Sequence, residues 1–291
     1  MTALDLYQVW SKCFGHLLAI REEGQHSKCT VCIKHKLIVK KLGSDRIARE
    51  AQLQQYLRHL DQQYEDRVVY WQARANSRLK MLPDGTRSVC IIVDAVDHTK
   101  LRYPKHAAMS AKDFSGFIRP CLDCTAAITH GHGIVIALSE PFVKKDSSWS
   151  IDVIAHVHAL SQVAQRYDLR QMEVVLQADN TSRECKNNSL LRWAAMMVGL
   201  HMVKRMELRF LMSGHSHEDV DGFFSQLVNE IEGHKNLESP DDFQALIAKF
   251  LEKSSTRPEE RQFQHVVMVD SVRDWTLGAS DPPFLLRAAF L

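Results

Sequence analysis

From about residue 81 the sequence predicts an α/β domain, a mixed five-stranded sheet flanked by helices. Three observations predict it. Apolar runs of strand length, bounded by turn residues, alternate with stripes of helical spacing. Two of those runs end in acids, Asp94 and Asp179. The stretch Arg209–Ser225 passes from an apolar run through Ser213-Gly214 into His215, His217, Asp219 and Asp221, and then into an amphipathic helix. Strand, turn and helix therefore meet where histidines and aspartates cluster, and such junctions are where α/β folds build sites.

Each element follows from local pattern. The Pro83-Asp84-Gly85 turn precedes the first strand, Ser88–Asp94, which Asp97 and His98 follow. Leu122–Thr129 and Ile134–Leu138 read as a hairpin joined by the turn His130-Gly131-His132-Gly133. Ser150–Tyr167 is helical, with Val153, Val157, Leu160 and Ala164 on one face. Met172–Ala178 is a fourth strand running into Asp179-Asn180. A polar run then leads to a helix marked by Leu190, Leu191, Ala194, Val198 and Met202, and Glu207–Met212 is the fifth strand. Val220, Phe223, Phe224, Leu227, Val228 and Ile231 stripe the next helix. There Ser216 or Asp219 suits the cap, and the acids suit the helix dipole. Ser239-Pro240 starts a further helix with Phe243, Leu246, Ile247 and Phe250 as its stripe. Gln264–Val269 is a candidate for one more strand.

Two regions precede this domain. Residues 1–44 read as an irregular Cys/His segment, and 45–80 as a long helical linker. Cys29-x-x-Cys32 has zinc-knuckle spacing. A tetrahedral site needs two further ligands, and Cys13, His16, His26 and His35 are the candidates. The plain alternative is a pair of free thiols. Lysines between Lys28 and Lys41 make a local basic patch, suited to phosphate or simply to water. In the linker, Leu53, Leu57, Leu60, Tyr64 and Trp71 recur at alternating spacings of four and three, with Arg67 interrupting. That stripe suits packing on its own domain, or on a second copy as a homo-oligomer. Cys121-x-x-Cys124 reads as structural.

Composition narrows the classes. Hydrophobic content of 45% and charged content of 25% are those of a globular protein. A net charge of +2 requires any nucleic-acid surface to be a local patch. No apolar run reaches membrane-span length, so no membrane partner is expected, and the N-terminus lacks a signal-peptide pattern. Seven cysteines, an odd number, argue against a disulfide framework. An intracellular protein is expected.

The order from residue 88 resembles the ribonuclease H-like fold shared by retroviral-type integrases and DDE transposases. In that family the first three strands are antiparallel, and acids lie on the first strand, at the end of the fourth, and on the last core helix. Here those places are held by Asp94, Asp179 and Asp221, or Asp219 in place of Asp221. The strand into Asp179-Asn180, then Lys186-Asn187-Asn188, Gly214-His215-Ser216-His217 and Val220-Asp221 followed by Phe224-Ser225, resembles a family of transposon-derived eukaryotic proteins over roughly residues 25–235. That family carries an upstream C-x-x-C, which Cys29 and Cys32 match.

The resemblance implies phosphoryl transfer on DNA by two Mg²⁺ or Mn²⁺ ions, and with it a nuclear location. Asp94 would bridge the ions and Asp179 and Asp221 would each hold one; hard oxygen ligands suit these metals. His215 or His217 would bind metal, position water or contact phosphate. Asn180, Lys186 and Asn187 are candidate substrate contacts. Two other readings compete: a catalytically silent, domesticated relative that binds nucleic acid or protein, and a metallohydrolase using His215, His217 and Asp221. The second lacks the further histidines such sites need, since the His130/His132 pair is explained by a hairpin turn.

Overall fold

The computed structural model describes residues 29–108, 113, 116, 118–157, 168–179, 184–210, 219–254 and 263–275. The readings at Cys13, His16, His26, Asn180, His215, Ser216 and His217 lie outside the described residues, as does the Ser150–Tyr167 helix beyond residue 157. The chain divides into two compact units, residues 1–56 and 57–291.

The described part of the first unit is helical. Helix α1 spans Thr30–Lys41, and α2 runs unbroken over Arg46–Ser77 through the unit boundary. The described end of the segment expected to be irregular, residues 29–44, is therefore mostly helix. The lysines that looked like a solvated patch, with Leu37 and Ile38, are competent helix formers. Lys40 and Lys41 close the last turn, where positive charge favours the dipole. Cys29 is the N-cap position and Cys32 lies in the first turn. The long linker helix is present, but the face expected to pack is not the buried one. Leu53, Leu57, Tyr64 and Trp71 are exposed, whereas His59, Tyr70, Ala73 and Ser77 are buried.

The second unit holds one mixed sheet. Its strands are β1 (Arg87–Ala95), β2 (Asp123–Thr129), β3 (Gly133–Ser139), β4 (Met172–Ala178), β5 (Arg205–Phe210) and β6 (Phe263–Met268). Their order is β5-β4-β1-β2-β3-β6. β1–β2 and β2–β3 are antiparallel; β1–β4, β4–β5 and β3–β6 are parallel. The expected five-stranded sheet thus gains a sixth strand. Residues of β6 lie about 130 positions from their partners on β3, a pairing that local pattern cannot reveal. β5 begins at Arg205, two residues before the expected start, because Lys204 and Arg205 pair with Glu173 at the edge.

Both faces of the sheet are covered, which explains why its strands read as continuous apolar runs rather than alternating ones. On one face Val89, Ile91 and Val93 of β1 pack with Trp149, Ile151, Leu190 and Trp193. These come from α3 (Ser147–Asp152) and α4 (Asn188–Gly199). Past Asp152 the chain widens into a π-type turn over Val153–Val157. Trp149 is 1% exposed and its indole donates to the Thr125 hydroxyl at 3.0 Å, so its one polar atom is satisfied in the core. On the other face Cys90 and Ile92 pack with Phe224, Leu227, Phe243 and Ile247. These belong to α5 (Asp219–Gly233) and α6 (Pro240–Ser254), and Tyr70 of α2 joins them. Ser239 and Asp242 cap α6 reciprocally, as the Ser-Pro start predicted. No helix among the described residues is long and apolar enough to cross a membrane.

Candidate functional site

The β1–β4 register sets the site. Val93 pairs with Ala178 in a parallel ladder, so Asp94, still paired to Ala126 of β2, and Asp179, just past the end of β4, follow side by side at the C-terminal ends of adjacent strands. Both line one small crevice, whose wall includes Val220 of α5. The Asp94 carboxylate accepts the amide of Ala95 at 2.8 Å. Burial raises its pKa from the ordinary 3.8 to about 6; the Ala95 amide opposes this, and the charges of Asp221, Asp179 and Glu184 add to the rise. Four acids therefore share one electrostatic neighbourhood at this sheet edge.

Glu184 is the member that sequence reasoning missed. It sits in a turn just before α4, beside Cys185. Burial pushes the Cys185 thiol up to about 12, with Glu184, Asp179 and Asp94 contributing, and the thiol contacts the Ser150 hydroxyl at 3.7 Å. A glutamate in a polar run has no period to betray it.

Asp219 and Asp221 are separated by the fold. Asp219 lies 2.7 Å through each carboxylate oxygen from Nη1 of Arg74 on α2. Burial alone would raise the Asp219 pKa, yet it is held below the ordinary carboxylate range, with Arg74 as the charged partner present at neutral pH. His130 Nε2 is 3.7 Å away, but burial pushes His130 down to about 3, so it is neutral there. Asp221 is the acid of this helix whose charge reaches Asp94.

The candidate substrate contacts part in the same way. Asn187 caps α4, its side-chain oxygen accepting from the Leu190 amide at 3.1 Å. Its role as cap accounts for its oxygen. Lys186 is exposed, with its ammonium 5.6 Å over the Phe210 ring at the end of β5.

The cysteine pair is the second candidate centre. Burial raises the Cys32 thiol above its usual value, the neighbouring Cys29 adds to the rise, and Tyr56 and Lys36 oppose it. Cys29, Cys32 and His59 each offer a ligand atom within 4.8 Å of the other two, a cluster that could hold a structural metal such as zinc. His35, one of the ligands considered from sequence, instead meets the Gln52 amide and stacks on Tyr56 at 5.7 Å. His59 was not considered from sequence, since nothing in its spacing from Cys32 marks it. Cys121 and Cys124 are free thiols at the start of β2, and Cys124 is fully buried, in keeping with a structural role.

Comparison with curated proteins gives no match, and comparison with solved structures gives none either. A family model does match, over residues 121–279, from the residues leading into β2 to beyond β6. The matched span includes Asp179, Glu184, Asp219 and Asp221 but begins after Asp94. It covers more than half of the sequence, and the chain belongs to the family described as a domain of unknown function, DUF7869.

Proposed function

We propose that the second unit is a ribonuclease H-like core of the transposase and integrase type, derived from a mobile element, that cleaves or joins DNA with two Mg²⁺ or Mn²⁺ ions. The observation that carries this reading is the pair Asp94 and Asp179 at the ends of adjacent parallel strands, with Asp221 acting on Asp94 from α5. The antiparallel β1–β2–β3 set supports it, since the fold expected from the sequence begins that way. Asp94, Asp179 and Asp221 would hold the ions, and Glu184 adds a fourth oxygen donor. The ions would offset charge on the transferring phosphate. The chain's own residues would orient the substrate: Lys186, exposed and two residues past Glu184, is a cation suited to a phosphate.

The test is direct. Purified protein with end-labelled DNA is expected to give product with Mn²⁺ or Mg²⁺ and none with chelator, and Mn²⁺ titration is expected to show binding at or below the millimolar range. Absence of both, on DNA and on RNA, would replace this reading with a catalytically silent binding protein.

A structural zinc at Cys29 and Cys32 is proposed separately. Metal analysis of the purified chain is expected to find near one zinc per chain, and Cys32→Ser is expected to lose it and to lower the melting temperature. Zinc-free protein with a Cys32→Ser variant as stable as the parent would leave two ordinary thiols.

A further inference from the structure

We infer that Arg74, on the long helix, is a positioning residue for the carboxylate site: it sets the rotation of α5 so that Asp221, and not Asp219, serves Asp94. This rests on the metal-site reading of Asp94, Asp179 and Asp221. Residues in an α-helix advance by about 100° each, so side chains two apart diverge by about 200°. Asp219 and Asp221 therefore cannot both serve one site. Val220, between them, is 1% exposed and lies against the crevice that Asp94 and Asp179 line. Whichever acid is tied outward decides which one remains.

Arg74 ties Asp219. Its Nη1 is 2.7 Å from both carboxylate oxygens, across 145 positions of sequence. The tie is anchored at its base. The Tyr70 hydroxyl and His130 Nε2 share a 2.9 Å hydrogen bond, and the Arg74 guanidinium lies 5.9 Å over the Tyr70 ring. The Ser77 hydroxyl donates to the His130 carbonyl at 2.6 Å and accepts from the Cys90 amide at 2.9 Å. One turn of α2 after another thus grips the α5 start, the β2–β3 turn and β1. His130 is 2% exposed, and its Nε2 lies 3.7 Å from the Asp219 carboxylate, so it packs against one side of the pair. The Arg74 and Asp219 side chains are 32% and 23% exposed, so solvent screens the pair in part, and its hold on geometry comes from the two short contacts and the anchored helix rather than from charge alone.

The test is a double-mutant cycle of Arg74→Gln and Asp219→Asn, with Arg74→Lys as the conservative variant. Mn²⁺ affinity is expected to fall about tenfold in each single variant, the usual cost of losing a group that orients a ligand. The double variant is expected to be no worse than either single one, because one interaction is lost in all three. Arg74→Lys is expected to recover most of the affinity. In metal-free protein, amide hydrogen exchange over the first turns of α5 is expected to accelerate while β1 stays protected. Additive losses, with Asp219→Asn the larger, would make Asp219 itself a ligand and overturn the inference. Faster exchange with unchanged Mn²⁺ affinity would reduce the pair to a purely structural role, and unchanged exchange would remove the clamp. A parent protein that binds no Mn²⁺ overturns the metal reading and the positioning role with it; the parent's own titration tells that result from failure of the clamp.

Discussion

Asp94→Asn is expected to abolish metal-dependent cleavage and, at the same time, to stabilise the metal-free fold. On the two-metal proposal Asp94 would be a metal ligand, and its loss is expected to lower the rate by about a thousandfold or more. The stability gain follows from linkage. The folded-state pKa of Asp94 is raised to about 6, above the ordinary 3.8, by burial first and then by Asp221, Asp179 and Glu184. The folded state therefore holds this proton more tightly than the unfolded chain. Ionised Asp94 weakens the fold, and the cost grows as pH rises through that window, reaching its full value above it. Asparagine keeps the shape and an oxygen for the Ala95 amide, but never ionises. At pH 7 the variant should gain about 2 kcal/mol. In a domain of this size that raises the melting temperature by about 5 °C. Below pH 4 the gain should vanish. Saturating Mn²⁺ should reverse the order, because only the parent gains binding free energy from the ion. An Asp94→Asn protein that melts below the parent at pH 7 without metal would show that the carboxylate is a stabilising structural partner and not a self-repelling site.

How much of this was legible in the sequence depends on the range of the interaction. Asp94 and Asp179 were readable because each ends an apolar run, and the end of a buried strand is a local fact. Their adjacency was not local, and the parallel β1–β4 ladder supplies it. The choice between Asp219 and Asp221 was open for the same reason. What separates the two acids in the structure is the salt bridge of Asp219 to Arg74, on the helix read as a linker. The apolar stripe of that helix drew attention to Leu53, Leu57 and Tyr64, which are exposed. The face that matters carries Tyr70, Arg74 and Ser77, a polar face in sequence but gripping in structure. Glu184 and His59 were missed because neither a turn nor a helix gives a lone Glu or His any signature. The helix after Cys29 was missed because the C-x-x-C spacing fits a knuckle loop and a first helical turn equally well.

The sixth strand leads to the largest stability effect expected of a single methyl group. Gly133 was read as part of a turn, where glycine would be chosen for its backbone freedom. The turn glycine is in fact Gly131, at φ +77°. Gly133 opens β3, pairs with Thr129 on one side and meets Phe263 of β6 on the other. A Cβ at Gly133 would stand 2.1 Å from the Phe263 carbonyl oxygen and 2.9 Å from its ring. The obstacle is backbone, so no rotamer change relieves it, and β6 must leave its register on β3. That strand buries Phe263 in the core and ties back to α6 through Gln244 and the Val266 carbonyl. Gly133→Ala is therefore expected to cost about 3 kcal/mol. The melting temperature should fall by about 10 °C. Gly199→Ala is the control: it ends α4, and nothing stands within 4 Å of its added Cβ. It should leave stability unchanged or slightly raised, since alanine is the better helix former. If Gly133→Ala melts with the parent while hydrogen exchange over β6 is unaltered, then β6 does not pack on β3 as described. If β6 amides alone lose protection, the strand is an edge addition that detaches without unfolding the five strands beside it.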